Sequence, residues 1–371
     1  MEFKNNSVNV KEILDLLYDI RKKYGDKKVI KLYEKKILEL NNFQLSYEFA
    51  KNIKGADVKS HQQIVLNSNE LEYILLYAQH VKKADIKVLG EKIIESKNAY
   101  YNYEFANRVK NADILGHERA IIESGNLRYC LYFAKNIAKA NISDLEDVII
   151  KQKDIKIIYE FAKEVKGADA IKCGKVVCES NDPYYIYLFA NDIKHADVLA
   201  LSKAEVETGN AEYNYYFARD IKGVDIKEHE KVIIKRKDIM YNYKFARYIK
   251  GADINAHSKI VIESKNAHYN YKFIMNVKGV DMIAHEKAII ESKNLYYCYM
   301  LVLNNKVSDL KAIANIILNS GNLEYINGFL KNYRNINLDI YIDNKLDNSD
   351  KNNHKHTEND IKKLNKILGI K

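Results

Sequence analysis

Apolar and polar positions recur along the chain with a period of 28 residues, without insertion or deletion, from about Tyr47 to about Asn337. The pattern is anchored by a small or aliphatic residue after an aromatic: Ala50, Ala78, Ala106, Ala134, Ala162, Ala190, Ala218 and Ala246, then Ile274, Val302 and Leu330. Within the unit that begins at Asn98, apolar residues fall at helical spacing in two runs of roughly three turns each, separated by Asn111, Ala112 and Asp113. A fixed period in this range predicts a solenoid, in which each unit buries its apolar face only by stacking on its neighbours. The expected fold is therefore all-α, an α-solenoid of about eleven 28-residue helical-hairpin repeats with degenerate caps. Residues 1–42 are expected to form an N-terminal helical cap, 43–341 the solenoid, and 342–371 a polar linker and a short amphipathic helix around Ile361, Leu364, Ile367 and Leu368.

An Asn or Asp column marks the start of each first helix: Asn98, Asn126, Asp154, Asp182, Asn210, Asp238, Asn266, Asn294 and Asn322. Such side chains accept from the unpaired N–H groups of a first turn. The single proline, Pro183, follows Asp182 at the first helical position, where a missing N–H costs nothing. The first helix is expected to stop at Gly55, Asn111, Gly167, Gly223, Gly251 or Gly279, which tolerate left-handed backbone. The second helix should then start at Asp57, Asp85, Asp113, Asn141, Asp169, Asp197, Asp225, Asp253, Asp281 and Asp309. Lysines such as Lys110, Lys166 and Lys250, just before the stop, would face the negative end of the helix dipole.

One buried position alternates in character. Units with Ser46, Asn102, Asn214, Asn242 and Asn270 carry His61, His117, His229, His257 and His285 fifteen residues later, whereas units with Ile74, Cys130, Ile158, Ile186 and Cys298 carry Leu89, Leu145, Cys173, Leu201 and Ile313; the last, degenerate unit pairs Ile326 with Tyr341. A buried amide or hydroxyl needs a partner, so the covariation predicts a hydrogen bond to the imidazole across each polar hairpin. The histidine row is not expected to be a metal array. Helices packed ~8–10 Å apart hold equivalent residues too far apart to share an ion with ~2 Å ligand bonds.

Two tyrosine columns, one through Tyr101, Tyr129, Tyr213 and Tyr241 and the other through Tyr103, Tyr159, Tyr215 and Tyr243, border the buried arc of the first helices and are expected to pack between units. On the second helices, Lys175, Lys203, Lys259 and Lys287 stand one turn before Glu179, Glu207, Glu263 and Glu291, as in a solvated face. The exposed positions of the first helices change from unit to unit and include large residues: Tyr100, Arg108, Tyr132, Tyr184, Tyr216, Arg219, Lys244, Arg247, Tyr248, Lys272, Met275, Tyr296 and Met300. Tyr, Met and Arg together have the composition of an interface, so this row is the candidate partner-binding surface.

Composition narrows the function classes. A formal net charge of +10 over 371 residues is modest and does not by itself imply a nucleic-acid partner. Cys130, Cys173, Cys178 and Cys298 occupy columns that are elsewhere aliphatic, and read as reduced core fillers. No apolar run approaches the ~18 residues of a membrane span, and residues 1–25 mix Lys, Asp and Glu into their apolar pattern, unlike a secretory leader. A cytoplasmic protein with no membrane partner is expected. The chain has no phosphate-binding Gly-Lys loop, dinucleotide fingerprint or Cys-x-x-Cys, and no Ser, His and acid set outside repeat columns, so it is expected to be no enzyme, with no cofactor, metal or small-molecule substrate.

In its two-helix units and their fixed period, nearly the whole chain resembles helical-hairpin repeat proteins such as the tetratricopeptide and HEAT classes. The resemblance is architectural: the 28-residue period is shorter than theirs and their signature residues are absent, so no binding residues carry over. It implies a scaffold whose function lies in surface positions. The leading expectation is a non-catalytic repeat protein binding a protein or extended peptide along the first helices; nucleic-acid binding through basic and tyrosine columns is the alternative. Glu48, Glu104, Glu160, Asp192 and Asp220 interrupt the same-sign charge that a nucleic-acid groove would present. The covarying pair yields a direct check by chemical denaturation. Replacing Asn242 alone by Leu should destabilise more, by about 1–3 kcal/mol, than replacing Asn242 and His257 together by Ile and Leu; equal losses would remove the pairing.

Overall fold

The computed structural model of the protein describes residues 27–333. The first part of the expected N-terminal cap, Tyr341, the polar linker and the C-terminal helix lie outside the described residues. Among the described residues there are 22 helices and no strands. They alternate between first and second helices of successive hairpins, each 9–11 residues long after an initial helix Lys27–Leu40. The chain divides into two compact units, Met1–Asp197 and Val198–Lys371. Each is a stack of helical hairpins in which a first helix packs on its own second helix and on the first helix of the next hairpin.

The cap columns act as the sequence implies. Asn98 accepts from the N–H of Tyr101 at 3.2 Å, and Asp182, before Pro183, accepts from Tyr184 and Tyr185 at 3.0 and 3.3 Å. On the second helices Asp113 accepts from Gly116 at 3.0 Å and Asp253 from Ala256 at 3.0 Å. The first helices, however, stop two residues earlier than Gly and Asn suggest. Val109, Val165 and Ile249 leave the helix in extended conformation with their side chains buried, because a β-branched residue suits extended backbone and the core lies beneath it. Gly55, Asn111 and Gly167, with φ of +93°, +64° and +96°, form the turn that follows. Lys110 and its equivalents therefore sit in that turn, past the helix end, rather than in the last helical turn.

The apolar core repeats with the unit. Phe105, Phe133, Phe161, Phe217, Phe245 and Phe273 are fully buried, and in polar units the ring lies on the imidazole, as in Phe105–His117 and Phe273–His285 at 4.8 Å between centroids. Four of these histidines face an asparagine Oδ1 through Nδ1: His117 to Asn102 at 2.8 Å, His229 to Asn214 at 2.8 Å, His257 to Asn242 and His285 to Asn270 at 2.7 Å. The amide nitrogen is used as well. Asn102 Nδ2 donates to the carbonyl of Asn98 in its own unit at 2.9 Å and to that of Ile93 in the preceding unit at 3.0 Å, and Asn242 and Asn270 repeat both bonds. Ser46 and His61 are the exception. Neither Ser46 Oγ nor His61 Nδ1 has a hydrogen-bond partner among the described residues, since a serine side chain is too short to span the gap an amide fills.

Because both amide hydrogens go to carbonyls, the asparagine oxygen must accept, and each histidine carries its proton on Nδ1. Its Nε2 is left to accept from the preceding unit, and the residue just after the histidine column supplies the partner. Ser202 Oγ donates to His229 at 2.9 Å and Ser258 Oγ to His285 at 2.8 Å. Gly90 lies opposite His117 Nε2, where an added Cβ would come within 3.5 Å of the nitrogen and 3.3 Å of Phe105. Glu230 Oε1 stands 3.2 Å from His257 Nε2.

The same column reaches further. Glu118, Glu146 and Glu230 accept the N–H of the next unit's cap residue, from Asn141, Asp169 and Asp253 at 2.8, 2.7 and 2.6 Å, and Gln62 accepts from Asp85 at 2.8 Å. A carboxylate is favoured at the positive end of a helix. Burial pushes the Glu118 carboxyl up, opposed by the Asn141 N–H. These carboxylates, 2–3 % exposed at Glu118, Glu146, Glu230 and Glu286, are thus boundary bonds rather than surface charge.

Burial pushes His117, His229 and His285 down from 6.5 to about 4, against the weaker pull of Asp113, Asp225 and Asp281. The unfolded chain therefore takes up protons below its own pKa of 6.5 that the folded chain refuses until about 4. Each histidine should remove up to roughly 3 kcal/mol of stability across that window. Thermal unfolding followed by circular dichroism should show a midpoint that is flat above pH 7 and falls steeply from pH 6.5 towards 4, and the N270I/H285L double variant should shallow the slope. A midpoint unchanged down to pH 4.5 would show the histidines to be accessible to protons in the fold.

Candidate partner-binding surface

The tyrosine columns meet across unit boundaries. A ring of one unit touches a ring of the next at 26 residues' separation: Tyr47–Tyr73 at 5.8 Å, Tyr103–Tyr129 at 5.9 Å, Tyr159–Tyr185 at 6.0 Å, Tyr215–Tyr241 and Tyr243–Tyr269 at 5.9 Å, Tyr271–Tyr297 at 5.6 Å and Tyr299–Tyr325 at 4.9 Å. These pairs are tilted or edge-on, the geometry that ring quadrupoles favour. The exposed tyrosines rest on them. Tyr100 lies 5.0 Å from Tyr101 and 6.2 Å from Tyr129, Tyr132 lies 5.8 Å from Tyr129, and Tyr184 and Tyr296 lean on Tyr185 and Tyr297.

In the unit Met1–Asp197 the charges of this face neutralise one another. Lys135 pairs with Glu164 at 2.8 Å and Lys163 with Asp192 at 2.7 Å, both across a boundary at 29 residues' separation. Arg128 reaches Glu160 at 3.0 Å, and Arg108 meets Glu104 at 2.5 Å within one helix. All five acids that interrupt the row in sequence thus have a basic partner, counting the contacts of Lys51 with Glu48 at 3.6 Å and of Arg219 with Asp220 at 2.7 Å.

The unit Val198–Lys371 differs at the same columns. Residues 29 positions beyond Arg219 and Arg247 are Tyr248 and Asn276, which cannot neutralise them. Here the cations lie over rings. Arg219 is 4.9 Å from the centre of Tyr216 and 5.3 Å from Tyr215; Lys244 is 4.6 Å from Tyr241 and 5.8 Å from Tyr215. Arg247 is 5.0 Å from Tyr248 and donates to the Tyr243 hydroxyl at 2.5 Å, and Lys272 is 5.4 Å from Tyr269 and 5.5 Å from Tyr243. Among the described residues no carboxylate comes within 4.0 Å of Lys244, Arg247 or Lys272. Burial, and then the Lys272 cation, push His268 down beside this cluster.

The predicted residues fall on one side of the hairpins. Tyr100, Arg108, Tyr132, Tyr184, Arg219, Arg247, Tyr248 and Tyr296 are exposed, and Tyr216, Lys244, Lys272, Met275 and Met300 are half-buried. The structure brings together Arg219 to Lys272 through shared tyrosines. Met275 packs at the edge of the last hydrophobic cluster, against which Tyr271 and Tyr299 also lie. On the second helices the expected Lys-to-Glu pairing one turn apart gives way to another. Glu123, Glu179 and Glu291 meet Lys97, Lys153 and Lys265, left-handed residues of the preceding turn, at 2.9, 3.7 and 2.9 Å. The exposed Leu115, Ile171, Leu199 and Ile283 near the starts of second helices were not singled out by the periodicity. Ser143, Lys227 and Asn255 interrupt their column, leaving isolated apolar residues of an ordinary surface.

Cys130, Cys173 and Cys298 are fully buried, and burial pushes their thiols up to about 12, 12 and 11. Among the described residues no group of three or more His, Cys, Asp or Glu is placed to hold a metal, and no helix is long and apolar enough to cross a membrane. Comparison with protein-family models, curated proteins and solved structures finds no match.

Proposed function

We propose that the protein is a non-catalytic repeat scaffold that binds a protein or an extended peptide along the exposed row of first helices. The reading is carried by one observation: this row holds tyrosines and cations fixed in place by neighbouring rings, some of them without a carboxylate partner. Side chains already held in position lose little freedom on binding, and Tyr and Arg carry much of the energy of known interfaces. A reducing compartment such as the cytoplasm suits the four cysteines, none of which is in a disulfide.

Nucleic-acid binding is the second reading, favoured by the uncompensated Lys244, Arg247 and Lys272. Base stacking, however, requires a bare ring face, and Tyr215, Tyr241 and Tyr243 are only 3–7 % exposed, with cations over them.

The test is selection from a random displayed peptide library on the full chain, followed by hydrogen exchange of the complex with a selected peptide. Slowed exchange should map to first helices around Tyr132, Tyr248 and Tyr296 and spare the second helices. Protection confined to second helices would overturn the reading, as would a library yielding no binder while single-stranded RNA bound tightly with steep salt dependence.

A further inference from the structure

We propose that Arg219, Lys244, Arg247 and Lys272 form a track for an extended acidic segment of a partner protein, one that presents a carboxylate at every third residue. This rests on the scaffold reading and assigns the chemistry of its occupant. Lys244 and Lys272 hold equivalent positions on adjacent first helices, as do Arg219 and Arg247, each pair 28 residues apart. Neighbouring helices pack with axes ~8–10 Å apart, and an extended chain advances about 3.3 Å per residue. Three residues of peptide therefore span one unit, and acidic residues at i, i+3 and i+6 meet the cations of three successive first helices.

The track is a departure from the repeat, not a product of it. At the column of Lys244 and Lys272 other units carry Glu48, Glu104 and Glu160, and at the column of Arg219 and Arg247 the cations Lys135 and Lys163 have acids of the next unit as partners. Only here does the first column turn basic, at Lys244 and Lys272, beside Arg219 and Arg247 of the second, whose 29-residue partners become Tyr248 and Asn276; Tyr216 and Met275 fill the two remaining places. Lys244, Arg247 and Lys272, which the fold leaves without carboxylates on tyrosine pedestals that restrict their motion, favour an incoming carboxylate. Asp220, bound to Arg219 Nε at 2.7 Å, limits the track at one end, and the apolar Met275 and Met300 columns replace the cations at the other. The occupant is a peptide rather than a nucleic acid because the rings beneath the cations are already covered.

Fluorescence anisotropy with the full chain tests the assignment, using labelled peptides of identical composition with glutamates either at every third position or in one block, a glutamine version, and oligouridylate. The spaced peptide should bind several-fold tighter than the blocked one, and the glutamine version not at all. K244Q/K272Q should weaken the spaced peptide by about tenfold, the loss expected of two ring-supported ion pairs. K259Q/K287Q is the control, since it removes two exposed lysines of the same spacing from second helices, and should change binding less than twofold. Equal binding of the spaced, blocked and glutamine peptides, equal effects of the two double variants, or tighter binding of oligouridylate would overturn the track. If displayed peptides still protect the first helices in that event, the scaffold reading stands without it; if they do not, both fall.

Discussion

Apolar contact between stacked hairpins leaves their register loose, because one methyl group is as good a neighbour as another. A buried amide or carboxylate does not tolerate a slip, since it loses its partner and has no water to replace it. In this protein such groups sit at the unit boundaries. The amide of Asn102 bonds back nine residues to the carbonyl of Ile93, and Glu118 bonds forward 23 residues to the N–H of Asn141. A single inserted residue within either stretch would break the bond that closes it. The uninterrupted period therefore follows from polar chemistry in the core, while the Phe and Ala columns supply the burial that makes each unit worth stacking.

With its interior so constrained, the chain varies most freely where nothing is buried. The first-helix columns outside the tyrosine border are of this kind, and the two compact units use them differently. In the first, a cation finds an acid of the next unit at a fixed separation, as Lys135 finds Glu164. In the second the same step from Arg247 lands on Asn276, and the positive charge is held over Tyr248 and Tyr243 instead. A ring offers a cation attraction without neutralising it, so the surface keeps both its order and its charge.

Much of this was legible from residue pattern. The helical hairpins, both cap columns, the inter-unit role of the tyrosines and the Asn–His pair all leave a repeated residue type at a repeated position. The ends of the first helices were misplaced because Gly and Asn mark positive φ wherever it occurs, and here the buried Val109 and its equivalents end the helix sooner. Ser46 keeps the covariation with His61 but not the bond, a matter of side-chain reach that letter patterns do not carry. The carboxylate column from Glu34 to Glu286 was overlooked because Glu, Gln, Ser and Gly share it, which reads as an unconstrained surface position. Its signal was the recurrence of Glu or Gln 23 residues before a cap residue, as at Gln62, Glu118, Glu146 and Glu230. The track from Arg219 to Lys272 was visible as a basic region, but not that its charges lack partners, which depends on distances across the boundary.

The column opposite Nε2 also makes each junction directional. His229 and His285 look back onto Ser202 and Ser258, His257 onto Glu230, and His117 onto the gap left by Gly90. Units that share a backbone are thus not interchangeable parts. Excising the 28-residue copy that carries Leu89 and Gly90, for example, would set Gln62 opposite His117, where Gly90 now leaves the space. The order of the units is encoded in their seams, and an array of this kind can gain or lose length only at joints whose two faces already match.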